Sequence, residues 1–307
     1  MINKKLHLII FSFNRALQLD CLLRTTIKNI KSVDYCISIV YHCSGRHKEG
    51  YEKLKAKYYL LPTICLYERT KEYSFLKNTV PLLSKNRNAY RFIKHKFLRS
   101  NLDNFKILTE SIIINSDCDF TMFLTDDGYF YDQVKIPENI LEKINEDPYQ
   151  VSYRMYVGRN LKDCPLLIEE DGMLKWNYYD TAMHNHWAYP FAVDATIYQS
   201  KALLSIIKPV FYHMPTTLES FVVTYCKSRS LLSRGYSPLR SNYIGLFINR
   251  VSPIGNNYSG KVSIDMLNDK WLEGYELDYI FPNPPEEQCL IPNEIRLMHP
   301  SKPEILI

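Results

Sequence analysis

Four short apolar runs in the first half of the chain, at residues 6–11, 36–41, 63–67 and 119–124, limit its fold more than any other feature. They are rich in aliphatic, β-branched and aromatic residues, the composition of buried strands. Between the first two, Leu19, Leu22, Leu23, Ile27 and Ile30 keep helical spacing, and Asn14 is placed to cap that helix. Strand, helix, strand and further strand is the pattern of parallel crossover units, so the expected class is α/β, a mainly parallel sheet flanked by helices. Ligands of such sheets bind outside the carboxyl ends of the strands. The residues at those ends are Ser12, Asn14 and Arg15, then His42 and Ser44, then Glu68, then Asp126 and Asp127.

Asp126, Asp127 and Gly128 break the fourth run. Two adjacent carboxylates on a glycine turn can hold a hard divalent cation, with water and phosphate oxygens completing its shell. They are equally the composition of an ordinary polar turn. No glycine stands between Phe11 and Arg15, which argues against a dinucleotide fingerprint or a Walker loop after the first strand. Phosphate handling is then expected from metal and basic side chains. A basic helical stretch at 84–99 packs Tyr90, Ile93, Phe97 and Leu98 on one face and turns Arg87, Arg91, Lys94 and Lys96 elsewhere. Most of those charges read as a solvated face, with one or two placed to reach a diphosphate.

At 307 residues and 46% hydrophobic, the chain can build one large α/β domain or two smaller ones. Its eight cysteines fall singly, without zinc-like spacing, and read as reduced, mostly buried thiols of a cytosolic protein. The apolar run after Lys4 and Lys5 is too short for a signal peptide and lacks a small-residue cleavage site, so it reads as a first strand. No stretch reaches the ~20 apolar residues of a membrane span. A net charge of +5 is a mild bias that suits anionic substrates or an anionic membrane surface, and no nucleic-acid-binding motif accompanies it.

The second half differs in kind, with short strands such as 151–156 separated by polar, aromatic loops at 176–179 and 184–189. Tyrosine is frequent there, and aromatic rings with polar tips suit sugar recognition, although each is also an ordinary half-buried residue. His184 and His186 read as surface or packing residues. Asp194 opens a strand-like run and can meet a sugar hydroxyl or serve as a turn acid. A helix at 200–208 is stopped by Pro209. Another runs from Thr216 to about Arg229, where Thr216 and Glu219 fit a capping box. The following Lys227, Arg229, Arg234 and Arg240, interleaved with Leu231, Leu232, Tyr236 and Leu239, read as an exposed loop or as a patch for an anionic bilayer. A C-terminal helix from Ser263 to Gly274 carries caps at both ends, and His299 lies in the tail beyond it.

Several of these stretches together carry a resemblance. They are the opening run from Phe11 to Leu19, the turn from Leu124 to Gly128, the run from Tyr189 to Tyr198, the stretch from Met214 to Glu219, the stretch from Phe247 to Val251 and the helix at 263–274. In that order the chain resembles bacterial GT-A-fold glycosyltransferases of the family-2 type, which build surface polysaccharides. The resemblance implies that Ser12, Asn14, Arg15, His42, Glu68 and Asp126 lie at the nucleotide. It implies that Asp127 and Asp126 hold Mn²⁺ or Mg²⁺, with His299 as a late ligand. It makes Glu219 the base that deprotonates the acceptor hydroxyl, in direct inverting displacement, with Asp194 as the substitute. One departure is that Thr125 stands where the metal motif has its first acid.

The expected activity is transfer of a sugar from a nucleotide-sugar donor to a carbohydrate acceptor, free or lipid-linked, in polysaccharide assembly such as lipopolysaccharide or capsule. The expected site of action is the cytoplasm, either free or at the inner face of the cell membrane, with no nucleic-acid partner. Residues 1–127 form the nucleotide-sugar half and 128–307 the acceptor half of the same domain. The alternatives are a sugar nucleotidyltransferase, or a non-catalytic carbohydrate-binding protein with the same kind of fold.

Overall fold

The structure is a computed structural model and describes residues 4–71, 91, 102–251, 259–279 and 285–307. Apart from Arg91, the basic stretch at 84–99 lies outside the described residues. In chain order the elements begin with β1 (Leu6–Phe13), α1 (Ala16–Asn29), β2 (Tyr35–His42), α2 (Lys48–Tyr58) and β3 (Ile64–Glu68). Next come α3 (Phe105–Ile114), β4 (Phe120–Thr125), β5 (Gly128–Phe130), α4 (Glu138–Glu146), β6 (Val151–Arg154), β7 (Ile168–Glu170) and β8 (Met173–Asn177). They are followed by β9 (Thr196–Gln199), α5 (Ser200–Ile207), α6 (Pro215–Lys227), β10 (Arg234–Pro238) and β11 (Tyr243–Leu246). The last are α7 (Ile264–Leu272), β12 (Glu276–Asp278), β13 (Cys289–Leu290), β14 (Arg296–Met298) and β15 (Ile305–Leu306).

Among the described residues, one mixed sheet runs in the order β3-β2-β1-β4-β9-β6-β10-β8-β7. The four strands expected from the apolar runs form its parallel side, and β9 then joins β4 antiparallel. Two smaller sheets, β13-β11-β5 and β12-β14-β15, sit beside it. The continuous apolar runs have a simple cause, since both faces of the parallel strands are covered. Leu6, Leu8 and Ile10 pack with Tyr51 and Leu54 of α2 and Trp271 of α7, whereas Ile9 and Phe11 pack with Phe105 of α3, Leu203 of α5 and Leu218 of α6.

Several expectations change on folding. Asn14 does not cap α1; it sits at φ 57°, and its Oδ1 accepts the Ser44 amide at 2.8 Å, tying the β1 end to the loop after β2. Helix α2 was not anticipated, although Tyr51, Leu54 and Tyr58 keep helical spacing on its buried face. Trp176 lies in strand β8, not in a loop, and its indole N–H donates to the Trp187 carbonyl at 3.1 Å. The stretch read as loop or bilayer patch divides: Lys227, Arg229 and Arg240 are exposed, as in a loop, whereas β10 is an inner strand of the sheet and Leu232 and Tyr236 are buried, so neither is available to a membrane. Of the eight cysteines, all free, Cys21, Cys118 and Cys226 are buried and Cys65 is exposed, so most are not fully buried. The caps of α7 are as expected, with Ser263 Oγ accepting the Met266 amide and Gly274 at φ 101°.

Candidate active site

The site is built where β1 and β4 end side by side. Their register sets Phe11 opposite Thr125, which brings Asp126 beside Ser12 and Phe13. The Asp126 amide donates to the Phe11 carbonyl at 3.1 Å. Asp126 Oδ2 accepts from Ser12 Oγ and from the Phe13 amide, both at 2.9 Å, while Oδ1 accepts from Arg15 Nη1 at 2.9 Å. The same Nη1 lies 2.9 Å from Asp127 Oδ2. On its other side Arg15 donates Nε–H to Asn249 Oδ1 at 2.9 Å and Nη2–H to the Asn249 carbonyl. Burial pulls the Arg15 pKa down, but Asp126 and Asp127 more than reverse this and the guanidinium stays charged. Burial pushes Asp126 above the usual carboxylate range, with Arg15 opposing it.

Ser12 and Arg15, expected to face a nucleotide, are therefore committed inward; Ser12 Oγ also lies 2.6 Å from Tyr51 Oη. The more open residues at this end are Phe13, Asn14 and His42, with Glu68 exposed on the edge strand. The Phe13 and His42 rings stack at 5.6 Å and 2°. Glu68 accepts the Tyr41 hydroxyl at 3.2 Å.

As a divalent-cation site the aspartate pair fits poorly. Both Asp126 oxygens and one Asp127 oxygen already accept hydrogen bonds, and one guanidinium nitrogen bridges the two carboxylates. His299 lies elsewhere, its ring 5.0 Å from that of Tyr275 and its Nδ1 accepting the Ser301 amide at 3.0 Å. Among the described residues, no three His, Cys, Asp or Glu side chains converge as a metal would require.

The residue in place of the missing acid has its own task. Thr125 Oγ1 donates to Asp194 Oδ1 at 2.6 Å, and the Tyr243 hydroxyl approaches the same oxygen at 3.5 Å. Gly128 permits this, because a Cβ there would stand 1.8 Å from Tyr243 Oη. Burial raises the Asp194 pKa to about 6, against the Thr125 bond and with help from Asp127. One residue earlier, the Val193 amide donates to Glu219 Oε1 at 3.3 Å, so the two carboxylates meet at the mouth of β9.

Glu219 is not a cap. The N-cap of α6 is Met214, with Pro215 in the first turn, and Thr217 Oγ1 accepts the Met214 amide at 3.1 Å. Nor does the helix end keep Glu219 ionised: burial first, and Asp194 second, raise its pKa to about 7. Both residues are half-buried. Beneath them Arg154 is fully buried, its guanidinium about 5 Å from the Tyr156 and Tyr178 rings, donating to the His186 and Tyr189 carbonyls at 2.7 Å. It clamps the loop that carries Val193 and Asp194. His186 itself is exposed, with its ring edge-on to that of Tyr156, in keeping with the surface or packing role expected of it.

Arg154, Tyr243 and Asn249 were not singled out as site residues from the sequence. Only Asn249 carried a signal, as part of the stretch from Phe247 to Val251.

No family model matches the chain. In sequence it is similar to the bifunctional glycosyltransferase pgtA of Dictyostelium discoideum, 24% identical over 221 residues, which cover 67% of this chain. The chain spans about a quarter of that protein, 25% of its length. Among solved structures, TarS of S. aureus superposes with a TM-score of 0.46 at 12% identity, over 78% of this chain and 36% of TarS. Residues 1–349 of TarS in complex with UDP give a TM-score of 0.45 at 12% identity, over 78% of this chain and 59% of that one. The same fragment with UDP-GlcNAc gives 0.43 at 13%, over 78% and 57%.

Proposed function

We propose that this chain is a nucleotide-sugar-dependent glycosyltransferase that inverts the anomeric centre, with Glu219 as its base. The observation that carries this reading is the Asp194–Glu219 pair: two half-buried carboxylates beyond the carboxyl end of β4, one of them with a pKa of about 7. A general base works best with a pKa near the operating pH, and Glu219 meets that condition. The similarity to a curated glycosyltransferase points the same way.

In the proposed reaction the acceptor hydroxyl oxygen attacks the anomeric carbon as the bond from that carbon to the diphosphate oxygen breaks. The hydroxyl proton passes to ionised Glu219, and the nucleoside diphosphate leaves with the bonding pair. Asp194, fixed by Thr125, accepts a hydrogen bond from a neighbouring sugar hydroxyl and orients it. The Val193 amide holds Glu219 in place, and the Arg154 clamp holds the loop that supplies that amide. A divalent ion would supply charge neutralisation to the diphosphate, but the donors of Asp126 and Asp127 are already engaged and no step is routed through one.

Residues 1–127 are read as the donor half, where the half-exposed Phe13 and His42 rings offer a flat face to a nucleobase. Residues 128–307 are read as the half that takes a carbohydrate acceptor, lipid-linked in surface-polysaccharide assembly. The free cysteines suit a reducing compartment, so the cytoplasmic side is the proposed place of action. No helix among the described residues is long and apolar enough to cross a membrane.

A thermal-shift screen of UDP-, GDP- and CMP-sugars tests the reading. A donor at ~100 times its dissociation constant adds about 2.7 kcal/mol of stability. The donor found should then transfer its sugar to a glycan acceptor with inversion. Stabilisation by no nucleotide sugar, or hydrolysis and transfer both absent with every donor that binds, would sink it.

A further inference from the structure

The aspartate pair already holds a cation. Arg15 Nη1 stands 2.9 Å from a carboxylate oxygen of Asp126 and 2.9 Å from one of Asp127, bridging the two as a metal ion would. We propose that Arg15 is the resident cation of this pair and that the chain takes up its nucleotide diphosphate with no metal bridging Asp126 and Asp127. The nucleotide half of this statement rests on the glycosyltransferase reading, and the metal half does not.

Four features argue for it. The group is enclosed, with Arg15 only 6% and Asp126 only 4% exposed, so displacing the guanidinium would strand a buried charge. It is also anchored from behind, because Asn249 accepts from Arg15 through both its side chain and its carbonyl. Leaving the pair means breaking those bonds as well. The donor set is short, since Thr125 is neutral and its hydroxyl is committed to Asp194, while Ser12 and the Phe13 amide occupy the second Asp126 oxygen. A hard divalent cation can take as few as one or two protein carboxylates and complete its shell with water and phosphate. Here, however, both Asp126 oxygens and one Asp127 oxygen are already taken. Finally, a divalent ion beside Arg15 would set three positive charges against two negative ones at close range before any phosphate arrives. The aspartates then act by fixing Arg15 and the end of β1, where Phe13 and Asn14 stay partly open.

The test is an EPR titration of the full chain with Mn²⁺, alone and with UDP or GDP, comparing wild type with Asp127→Asn. The two proteins should take up Mn²⁺ alike in every condition. Mn²⁺ bound by the wild type and lost in Asp127→Asn overturns the proposal. Arg15→Met, which keeps bulk and removes charge, should raise Mn²⁺ affinity about tenfold or more, and adding Asp127→Asn should abolish the gain. A folded Arg15→Met protein with no gain overturns it too; if that variant does not fold, the wild-type comparison decides alone. By calorimetry, UDP or GDP should bind equally in EDTA and in Mn²⁺, and a tenfold preference for Mn²⁺ that Asp127→Asn removes counts against the proposal. Failure of every nucleotide to bind counts against the glycosyltransferase reading, and the Mn²⁺ comparison still decides the role of Arg15.

Discussion

Thr125 Oγ1 donates to Asp194 Oδ1 at 2.6 Å, joining the end of β4 to the mouth of β9 across 69 residues of sequence. The bond favours the ionised form of Asp194, which burial disfavours. Thr125→Val keeps the shape and removes the donor, leaving only the long contact from Tyr243. The Asp194 pKa should climb further above about 6, stability should fall by about 1 kcal/mol, and transfer should slow. Urea unfolding and the pH–rate profile check both parts; an unchanged profile would remove Asp194 from the proposed machinery.

Glu219→Gln retains an oxygen for the Val193 amide and cannot accept the acceptor proton. Transfer should fall by roughly 10²-fold or more with donor affinity unchanged. In the wild type the rate should rise with pH through about 7 as Glu219 loses its proton. Because Asp194 is coupled to it, two macroscopic steps are expected, and the variant should lose the upper one.

The same shift has a stability consequence. The folded pKa of Glu219 is raised from 4.5 to about 7, so the folded chain holds a proton that the unfolded chain releases between those values. This contribution is fully present below about pH 4.5 and is lost as pH rises through about 7. Glu219→Gln, neutral throughout, should gain in melting temperature relative to wild type between pH 5 and pH 8. A gap that does not widen with pH would show that the carboxyl is ionised throughout.

Asp126 and Asp127 should differ in what they contribute to folding. Asp126→Ala leaves a buried guanidinium short of a partner and strips the Ser12 and Phe13 donors of their acceptor, a loss of about 3–5 kcal/mol. Asp127 is the more open of the two, and Asp127→Asn keeps an oxygen for Arg15, so about 1 kcal/mol is expected. Equal losses in guanidinium unfolding would contradict this division.

Gly128→Ala would place a Cβ 1.8 Å from Tyr243 Oη, and the buried ring must move. A loss of about 1–3 kcal/mol is expected from the overpacking. Transfer should fall as well, because the displaced hydroxyl no longer faces Asp194. A variant with wild-type melting and rate would show that the turn tolerates a side chain there.

What could be read in the sequence is what local pattern encodes. The four apolar runs became adjacent parallel strands because both sheet faces are buried there, and α7 has its expected caps because a cap acts within one turn. The same local logic misled at Glu219, where a plausible capping box lost to a start two residues earlier at Met214. Periodicity also failed around Tyr236, since basic residues next to apolar ones in a short central strand look like a loop.

The sequence by itself determined the parallel strands and the polar residues that end them, because alternation, capping and strand breaking depend on near neighbours. Only the tertiary structure decided what those polar residues do. Arg15 meets Asp126 across 111 positions and Asn249 across 234, and Glu219 meets Val193 across 26. A hydrogen-bond partner so distant leaves no local pattern, and whether a carboxylate is filled by a guanidinium or left near pH 7 by burial depends on which elements close over it.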